Sequence, residues 1–413
     1  MPPRRLDLDD LASILPRDGR VIVSSCSGES LLLAEAVRRA GDALGAMTFT
    51  GVFAPGLNRT TWLANPSCRV ETFFMTPELK TAGAAVRLLP FCYGDILQWL
   101  RATPIDAALF MASPPDRHGN CSFGPIVDFL AELWPRIPIR VAHINSRLPR
   151  TAGPCAIPFD SLTACVEAEQ DLLGGPDRPD DAVSRAVGEA VARFIPDGAT
   201  IQTGLGKIPT AALRALTGRK NLRMHSGLIP EAVVDLEDSG ALAPGVSVTG
   251  GVAIGSRRLY DRVGGPAYRF CPVSFTHSPR VLADIERFVT LNSAMEVDLF
   301  GQAYAEMGPT GLVSGAGGAS DFARGARASG GLRIVALAAG AGGGTISRIA
   351  MPGGASGPVS LGRMDLDIVV TEYGSADLRG LDHDQRARAL VAIAPPGHRD
   401  RLGAQWAALA AKF

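Results

Sequence analysis

The chain alternates short apolar runs with segments in which apolar residues recur at helical spacing. Residues 20–25 and 139–144 are short apolar runs, whereas residues 31–40 show the periodicity of an amphipathic helix. A short run bounded by turn residues predicts a buried strand, and a longer periodic segment predicts a helix. Strands that alternate with helices imply a largely parallel sheet covered on both faces. The pattern therefore predicts an α/β protein.

The same reading assigns the elements of both halves of the chain. The predicted strands are residues 20–25, 47–53, 70–74, 86–91, 105–112, 139–144, 162–167, 199–203, 222–225, 246–250, 288–292, 333–338 and 368–372. The predicted helices are residues 6–15, 31–40, 182–194, 209–216, 384–393 and 399–412.

The two halves resemble each other in outline. An Asp-Gly turn at residues 18–19, followed by a strand, a glycine loop and a helix, recurs at residues 197–198. An apolar strand followed by an acidic loop at residues 113–119 recurs at residues 295–301. In both cases the second copy follows the first by nearly the same number of residues. The two matches therefore predict a tandem duplication of one α/β unit. Ligand pockets favour domain interfaces, so a cleft between the two copies is the expected site.

A polar stretch rich in glycine and proline separates two long periodic segments at residues 174–181. Such composition is typical of a boundary between domains. We therefore predict an N-terminal domain of residues 1–178 and a C-terminal domain of residues 179–413. A chain of 413 residues is also too long for one ordinary core.

Composition excludes several classes of function. Lys and Arg together number 41, as do Asp and Glu, which argues against nucleic acid or an anionic membrane as a partner. The seven cysteines are scattered, so free thiols are expected rather than disulfides, and the histidines show no metal-ligand spacing. The N-terminus has no apolar signal core, and no run reaches the roughly 18 apolar residues of a membrane helix. We expect a cytoplasmic protein without a metal.

Two glycine loops are the candidate ligand contacts. Gly204 and Gly206 follow the strand at 199–203 and precede a helix, an arrangement that places ligands at the carboxyl ends of the strands. The second loop, at residues 314–322, is denser in glycine. Without Cβ atoms, its backbone N–H groups can converge on one point, which suits an oxygen that becomes negative during a reaction.

These segments carry a family resemblance. Residues 204–209 read Gly-Leu-Gly-Lys-Ile-Pro, residues 225–226 read His-Ser, and residues 113–116 read Ser-Pro-Pro-Asp. With Thr-Glu-Tyr-Gly at residues 371–374, they resemble the acetyl-CoA hydrolase/transferase family, a group of class I CoA-transferases that includes 4-hydroxybutyrate CoA-transferase.

The resemblance implies a fold, a substrate and a set of contacts. The fold is two similar open α/β domains, and the expected reaction is transfer of CoA between a short-chain acyl-CoA and a carboxylic acid. No cofactor is permanently bound, coenzyme A thioester is a substrate, and a homodimer is expected. The residues implied to contact CoA or the oxyanion are Gly204, Gly206, Lys207, Gly315, Gly317, Gly318 and Asp321.

The sequence departs from the family at the catalytic position. The family has a glutamate after His-Ser, and this glutamate is the nucleophile that carries CoA as a glutamyl thioester. Here that position is Gly227, which has no carboxylate to offer.

Three interpretations follow from the loss of this glutamate. Another carboxylate, Glu231 or Glu29, takes over the role of nucleophile. Alternatively, water replaces the carboxylate, which gives an acyl-CoA hydrolase or another acyl-CoA reaction without the glutamyl-CoA intermediate. In the third interpretation the protein is a non-catalytic homologue that binds acyl-CoA, or it is a partner subunit.

Overall fold

The structure is a computed structural model, and it describes residues 2–174, 179–308 and 311–412. The chain folds into two compact units. The first contains residues 2–174, Val248–Thr276 and Val313–Gly317. The second contains residues 179–247, 277–308, 311–312 and 318–412. The predicted division beside Arg178 lies outside the described residues and stays a prediction. Two later segments nevertheless fold with the first unit, so a single division of the chain does not describe these units.

The first unit is built on an eight-stranded sheet in which every described pairing is parallel. The strand Ala107–Ala112 is buried at every position, as expected for a parallel strand covered on both faces. In spatial order the strands are Arg4–Arg5, Ala164–Glu167, Ile139–Ile144, Ala107–Ala112, Arg20–Val23, Thr48–Gly51, Arg69–Thr72 and Val86–Leu88.

The strand order of this sheet reverses at Arg20–Val23. The next strand in sequence, Thr48–Gly51, pairs on one side of it, and Ala107–Ala112 pairs on the other. In open α/β sheets, ligands bind outside the carboxyl ends of the strands at such a switch point. Residues 24–26, which directly follow the strand, therefore lie where a ligand is expected.

The helices of the first unit include one whose predicted bounds are confirmed. Leu31–Ala40 begins where the Ser30 side chain accepts the N–H of Leu33, and it ends at Gly41, whose φ is 49°. The predicted helix at residues 6–15 is a shorter 3-10 helix, Leu8–Ser13. Besides Leu31–Ala40, the α-helices of this unit are Pro77–Thr81, Tyr93–Ala102, Leu130–Leu133, Arg257–Tyr260 and Val273–Thr276. Its other strands are Asn120–Cys121, Ile157–Pro158, Val248–Ile254 and Tyr268–Phe270.

The second unit repeats the strand arrangement of the first. Thr200–Thr203 pairs in parallel with the next strand in sequence, Arg223–Pro230, on one side, and with Phe288–Ser293 on the other. This is the arrangement around Arg20–Val23, so the predicted duplicated α/β fold is confirmed. In spatial order the strands are Arg223–Pro230, Thr200–Thr203, Phe288–Ser293, Leu332–Ala336, Ile368–Thr371 and the antiparallel Gly374–Asp377.

The bounds of two elements near the predicted site differ from expectation. The strand predicted at residues 222–225 is Arg223–Pro230, so Gly227 lies within a strand rather than after it. The helix predicted at 209–216 begins earlier, at Lys207. The α-helices of this unit are Ala182–Ala192, Lys207–Arg214, Val233–Asp238, Pro279–Ala283, Ala319–Ala328, His383–Ala392 and Arg399–Ala410. Its short strands are Glu296–Asp298, Ala303–Tyr304, Met307–Gly308, Gly311–Leu312, Gly340–Ala341, Ile346–Ser347 and Ile349–Ala350.

Among the helices of residues 2–174, 179–308 and 311–412, none combines the length and the apolar character needed to cross a bilayer.

Candidate active site

The first glycine loop joins the central strand of the second unit to a helix. Gly206 has a φ of 129°, a conformation that L-residues rarely adopt, and the helix Lys207–Arg214 begins directly after it. A Cβ at Gly204 would come no closer than 3.7 Å to the Oδ1 atom of Asn292. The turn therefore needs glycine at position 206, whereas position 204 leaves open space.

Lys207, predicted to contact CoA, lies on the surface of this unit. Its Nζ atom is 3.0 Å from the Oδ2 atom of Asp181, and about half of each side chain is exposed. An exposed pair of this kind contributes little to stability, so Lys207 can exchange Asp181 for an anionic ligand at little cost.

Gly227 faces the imidazole of His277. A Cβ built on Gly227 would lie 2.7 Å from Cε1 and 2.9 Å from Nε2 of His277. Gly318 faces the same ring, and a Cβ there would lie 2.6 Å from Nε2. Real Cβ atoms do not approach heavy atoms this closely. The imidazole therefore occupies the space that a side chain at either glycine would need, including that of the expected glutamate.

His277 is held as a buried, uncharged ring. It is only 4% exposed, and its ring centroid is 4.5 Å from that of Phe322. Burial, and secondarily the charge of His225, lowers the pKa of His277 to about 3. At neutral pH this position thus has a neutral imidazole where the family resemblance implies a carboxylate.

No sequence motif marks His277, which lies 50 residues beyond Gly227 along the chain. The one signal in the sequence was the glycine at position 227, where the family resemblance implies a glutamate. Since protein interiors are close-packed, the volume of a lost buried side chain must be filled from elsewhere.

Glu231 lies just beyond the end of the strand that contains Gly227. It is buried and directly follows the strand Arg223–Pro230. At about 3.3 Å per residue, the end of that strand lies roughly 10 Å from Gly227. Its predicted role as a replacement nucleophile remains untested.

Glu29 is a fully buried carboxyl group of the first unit. Its Oε1 atom accepts a hydrogen bond from Nε1 of Trp62 at 3.0 Å, and its Oε2 atom accepts one from Nδ2 of Asn58 at 3.1 Å. Burial raises the pKa of Glu29 to about 7, although these hydrogen bonds act in the opposite direction. Both oxygens are thus engaged in fixing the segment that contains Asn58 and Trp62, and the predicted nucleophilic role remains untested.

The second glycine loop is close to the backbone of the first unit at Gly315. A Cβ on Gly315 would lie 1.9 Å from the carbonyl oxygen of Phe73, so only glycine fits there. Gly317 has a φ of 64°, and the N–H of Met75 donates to the carbonyl of Ser314 at 3.4 Å. The loop is therefore fixed beside the chain that leaves the strand Arg69–Thr72.

The last two predicted contacts lie at the start of a helix. Gly318 precedes the helix Ala319–Ala328, and Asp321 lies in its first turn. An acidic residue at this position is favourable to the helix dipole, which accounts for Asp321 without a ligand.

Arg150 is a residue that the sequence analysis missed. Its guanidinium donates to Oγ of Ser113 and to Oδ2 of Asp116, each at 2.9 Å. Asp116 also accepts the backbone N–H groups of Asn120 and His118, and these two hydrogen bonds, followed by the charge of Arg150, lower its pKa. Arg150 therefore braces the Ser-Pro-Pro-Asp loop in the first unit, a role that spacing along the chain does not reveal.

Comparison with known proteins connects these features to one family. Residues 255–406 match the acetyl-CoA hydrolase/transferase C-terminal domain. The chain is 38% identical over 309 residues to 4-hydroxybutyrate coenzyme A transferase of Clostridium kluyveri, with 72% of each protein covered. It is 36% identical to a succinyl-CoA:acetate/propanoyl-CoA:succinate CoA transferase of Fasciola hepatica, covering 72% of this chain and 64% of that protein.

A solved structure is similar over nearly the whole chain. The crystal structure of 4-hydroxybutyrate CoA-transferase from Porphyromonas gingivalis is 29% identical, with a TM-score of 0.82, and the match covers 99% of this chain and 98% of the other.

Proposed function

The chain belongs to the acetyl-CoA hydrolase/transferase family, and we propose that it transfers CoA between a short-chain acyl-CoA and a carboxylic acid. The observation that carries this proposal is the 38% identity, over 309 residues, to a 4-hydroxybutyrate coenzyme A transferase. The predicted glycine loops are consistent with it, because Gly206 and Gly315 occupy positions that exclude other residues.

The proposed chemistry proceeds without a glutamyl-CoA intermediate at position 227. The acceptor carboxylate attacks the thioester carbonyl directly, which forms an acid anhydride and releases CoA thiolate. The thiolate then attacks the acceptor-derived carbonyl of the anhydride and expels the donor carboxylate. A neutral His277 in place of a glutamate favours this route, because a carboxylate at that position would repel the incoming acceptor.

Within the second unit, Gly318 would serve the developing oxyanion. It lacks a side chain that would cover its backbone N–H group, and a preorganised N–H donor of this kind stabilises a tetrahedral intermediate. The N–H of Gly204, in contrast, already donates to the carbonyl of Leu291 at 3.2 Å. In this proposal, coenzyme A thioester is a substrate, and no cofactor is permanently bound.

Hydrolysis of acyl-CoA is the second candidate function. Gly227 leaves the attacking position without a carboxylate, so a water molecule has no covalent competitor there. The first attack would then yield a free acid and CoA instead of an anhydride.

The two candidates are separated by incubating the protein with acetyl-CoA in the presence and absence of butyrate. Formation of butyryl-CoA supports transfer, and release of free thiol without butyryl-CoA supports hydrolysis. If neither occurs while acetyl-CoA still binds, the protein is a non-catalytic homologue and the proposed function is wrong.

The proposal also includes a cytoplasmic location and a homodimer. All seven cysteines are free thiols, which suits a reducing compartment. Light scattering coupled to size-exclusion chromatography would test the homodimer, and a monomeric mass would contradict it.

A further inference from the structure

The second unit contains an open groove at the carboxyl edge of its sheet, and the residues that line it all belong to this unit. The groove measures about 230 Å³ for the centres of water-sized groups, which is enough for a small organic molecule. Met295 and Glu296 lie directly after the strand Phe288–Ser293, and Ala341 follows the strand Leu332–Ala336. The carboxyl ends of parallel strands form the edge at which such sheets bind ligands.

The groove is close to the first glycine loop. The Oδ1 atom of Asn292 is 3.7 Å from a Cβ built on Gly204. Met295 lies three residues beyond Asn292 along the chain, which limits the separation of their Cα atoms to about 11 Å. The groove therefore lies near the loop that is predicted to contact CoA.

Glu296 and Arg348 lie side by side on neighbouring strands. Val297 pairs with Ile349 across these two parallel strands, and both residues are buried, with exposed fractions of 0% and 1%. Successive side chains of a strand point to opposite faces, so the residues that precede this pair, Glu296 and Arg348, face away from that core and line the groove. Two opposite charges thus border the same side of the groove.

The two charges do not form an ion pair with each other. The Oε2 atom of Glu296 accepts the backbone N–H of Ser356 at 2.7 Å, which holds the carboxylate in place. The guanidinium of Arg348 is partly buried, and it forms no ion pair or hydrogen bond with any residue that the structure describes. Arg348 therefore presents its fork of donors to the groove, and a carboxylate binds such a fork through two parallel hydrogen bonds.

The lining determines the class of ligand. Among the described residues that line the groove, Arg348 is the only cation, and the apolar side chains are Met295, Met307 and Ile346. Ile346 is 54% exposed, so it offers an apolar surface that the hydrocarbon part of a ligand can cover. A second negative charge on the ligand would lie against this apolar wall or beside Glu296, without a countercharge. The groove therefore suits an acid with one carboxylate and a short apolar chain.

We propose that this groove binds the acceptor carboxylic acid, that Arg348 holds its carboxylate, and that Glu296 excludes acids with a second negative charge. The inference rests on the proposed function, because it assumes that a free carboxylic acid is a substrate. It names the acceptor as a short monocarboxylic acid, and it assigns Arg348 and Glu296 as residues that determine specificity.

The test measures transfer of CoA from acetyl-CoA to butyrate or to succinate, which have the same number of carbon atoms and differ in the second carboxylate. The wild-type protein should favour butyrate by about tenfold in kcat/KM, because like charges side by side are unfavourable. Arg348→Gln should raise the KM for butyrate about tenfold, the effect of losing a charged hydrogen bond, and should leave the KM for acetyl-CoA unchanged. Glu296→Gln keeps an acceptor for the N–H of Ser356 and should reduce the preference for butyrate over succinate.

Arg388→Gln is the matched control, since Arg388 is an exposed arginine of the same unit that lies on the helix His383–Ala392 and does not line the groove. Equal effects of Arg348→Gln and Arg388→Gln on the KM for butyrate would overturn the inference and leave the proposed function intact. A higher KM for acetyl-CoA instead would also overturn it, because Arg348 would then bind a phosphate of CoA. A butyrate preference that Glu296→Gln leaves unchanged would overturn the role assigned to Glu296.

If the wild-type protein transfers CoA to neither acid, the proposed function fails, and binding decides the inference instead. A ligand-observed NMR titration with butyrate gives a dissociation constant for each protein. Weaker binding of butyrate to the Arg348→Gln variant than to the Arg388→Gln variant supports the inference, and equal or absent binding overturns it. Thermal unfolding of each variant verifies that it is folded.

Discussion

Positions 227 and 277 form a coupled pair, although they are distant in sequence. The imidazole of His277 fills the space in front of Gly227 and Gly318, and it packs against Phe322. A carboxylate cannot be placed at position 227 without moving this ring. A substitution that introduces one there must therefore be combined with a change at position 277.

Gly227→Glu alone should destabilise the protein and should not produce a glutamyl-CoA adduct. The new Cβ would lie 2.7 Å from His277, and overpacking of this kind typically costs about 1–3 kcal/mol. Combining it with His277→Ala should recover much of this loss, because the glutamate can then occupy the vacated volume. Urea unfolding of both single variants and the double variant measures the coupling.

Gly204→Ala is the matched control for that series, because the nearest atom to its new Cβ would be 3.7 Å away. It should change stability far less than Gly227→Glu does. Additive effects of Gly227→Glu and His277→Ala would contradict the coupling.

The titration of His277 predicts a loss of stability in acid. Its pKa is lowered from 6.5 to about 3 in the folded protein, so between these values the unfolded chain binds a proton that the folded protein does not. The contribution of the neutral His277 ring to the unfolding free energy is therefore complete above pH 6.5, and it declines as the pH falls toward 3. His277→Gln should show a smaller difference in unfolding free energy between pH 7 and pH 5 than the wild type. An equal difference in both proteins would show that His277 is not buried as a neutral ring.

Asp128 predicts the opposite pH dependence. Burial, together with the charge of Glu132, raises its pKa from 3.8 to about 8, so the folded protein holds a proton that the unfolded chain has lost. The contribution of this bound proton to the unfolding free energy is complete below about pH 3.8, and it is lost as the pH rises through about 8. Asp128→Asn should therefore flatten the decline in unfolding free energy between pH 6 and pH 9. An unchanged slope would mean that Asp128 is ionised in the folded protein.

At the scale of elements, the bounds of a helix or strand were predictable where residues next to it in the sequence mark its ends. They were not predictable where pairing with a distant strand extends the element. Leu31–Ala40 was predictable because Ser30 and Gly41 mark its ends within the sequence itself. The strand Arg223–Pro230 was predicted too short, since Ser226-Gly227 looks like a turn. Ser226 instead donates its hydroxyl to the carbonyl of Thr203 on the neighbouring strand, an interaction that no local pattern reveals.

The loop at residues 313–317 should depend on glycine at position 315. Gly315→Ala would bring a Cβ to 1.9 Å from a backbone carbonyl, so the loop must move. We expect a loss of more than about 1 kcal/mol in unfolding free energy. Gly403→Ala, in the helix Arg399–Ala410 with open space around it, should instead stabilise by up to about 1 kcal/mol. Equal effects of the two changes on urea unfolding would contradict this account of the loop.

At the scale of the whole molecule, the duplication of the α/β unit was predictable from the sequence. The return of two later segments of the chain to the first unit was not. Similar Asp-Gly turns and strands in the two halves led to the prediction of two α/β units, and both sheets have the same central arrangement. The return of Val248–Thr276 and Val313–Gly317 to the first unit depends on contacts between distant residues. The same limitation hid His277 and Arg150, whose roles come from their neighbours in space.

In the proposed mechanism, acyl-CoA chemistry proceeds without a covalent CoA intermediate. The most direct measurement is to quench a reaction of the protein with acetyl-CoA and butyrate during turnover, and to determine butyryl-CoA and intact protein mass in the same sample. We predict that butyryl-CoA accumulates while the protein keeps its unmodified mass. A protein fraction that gains the mass of CoA during exchange would contradict the claim, because it would show that another carboxylate serves as the nucleophile.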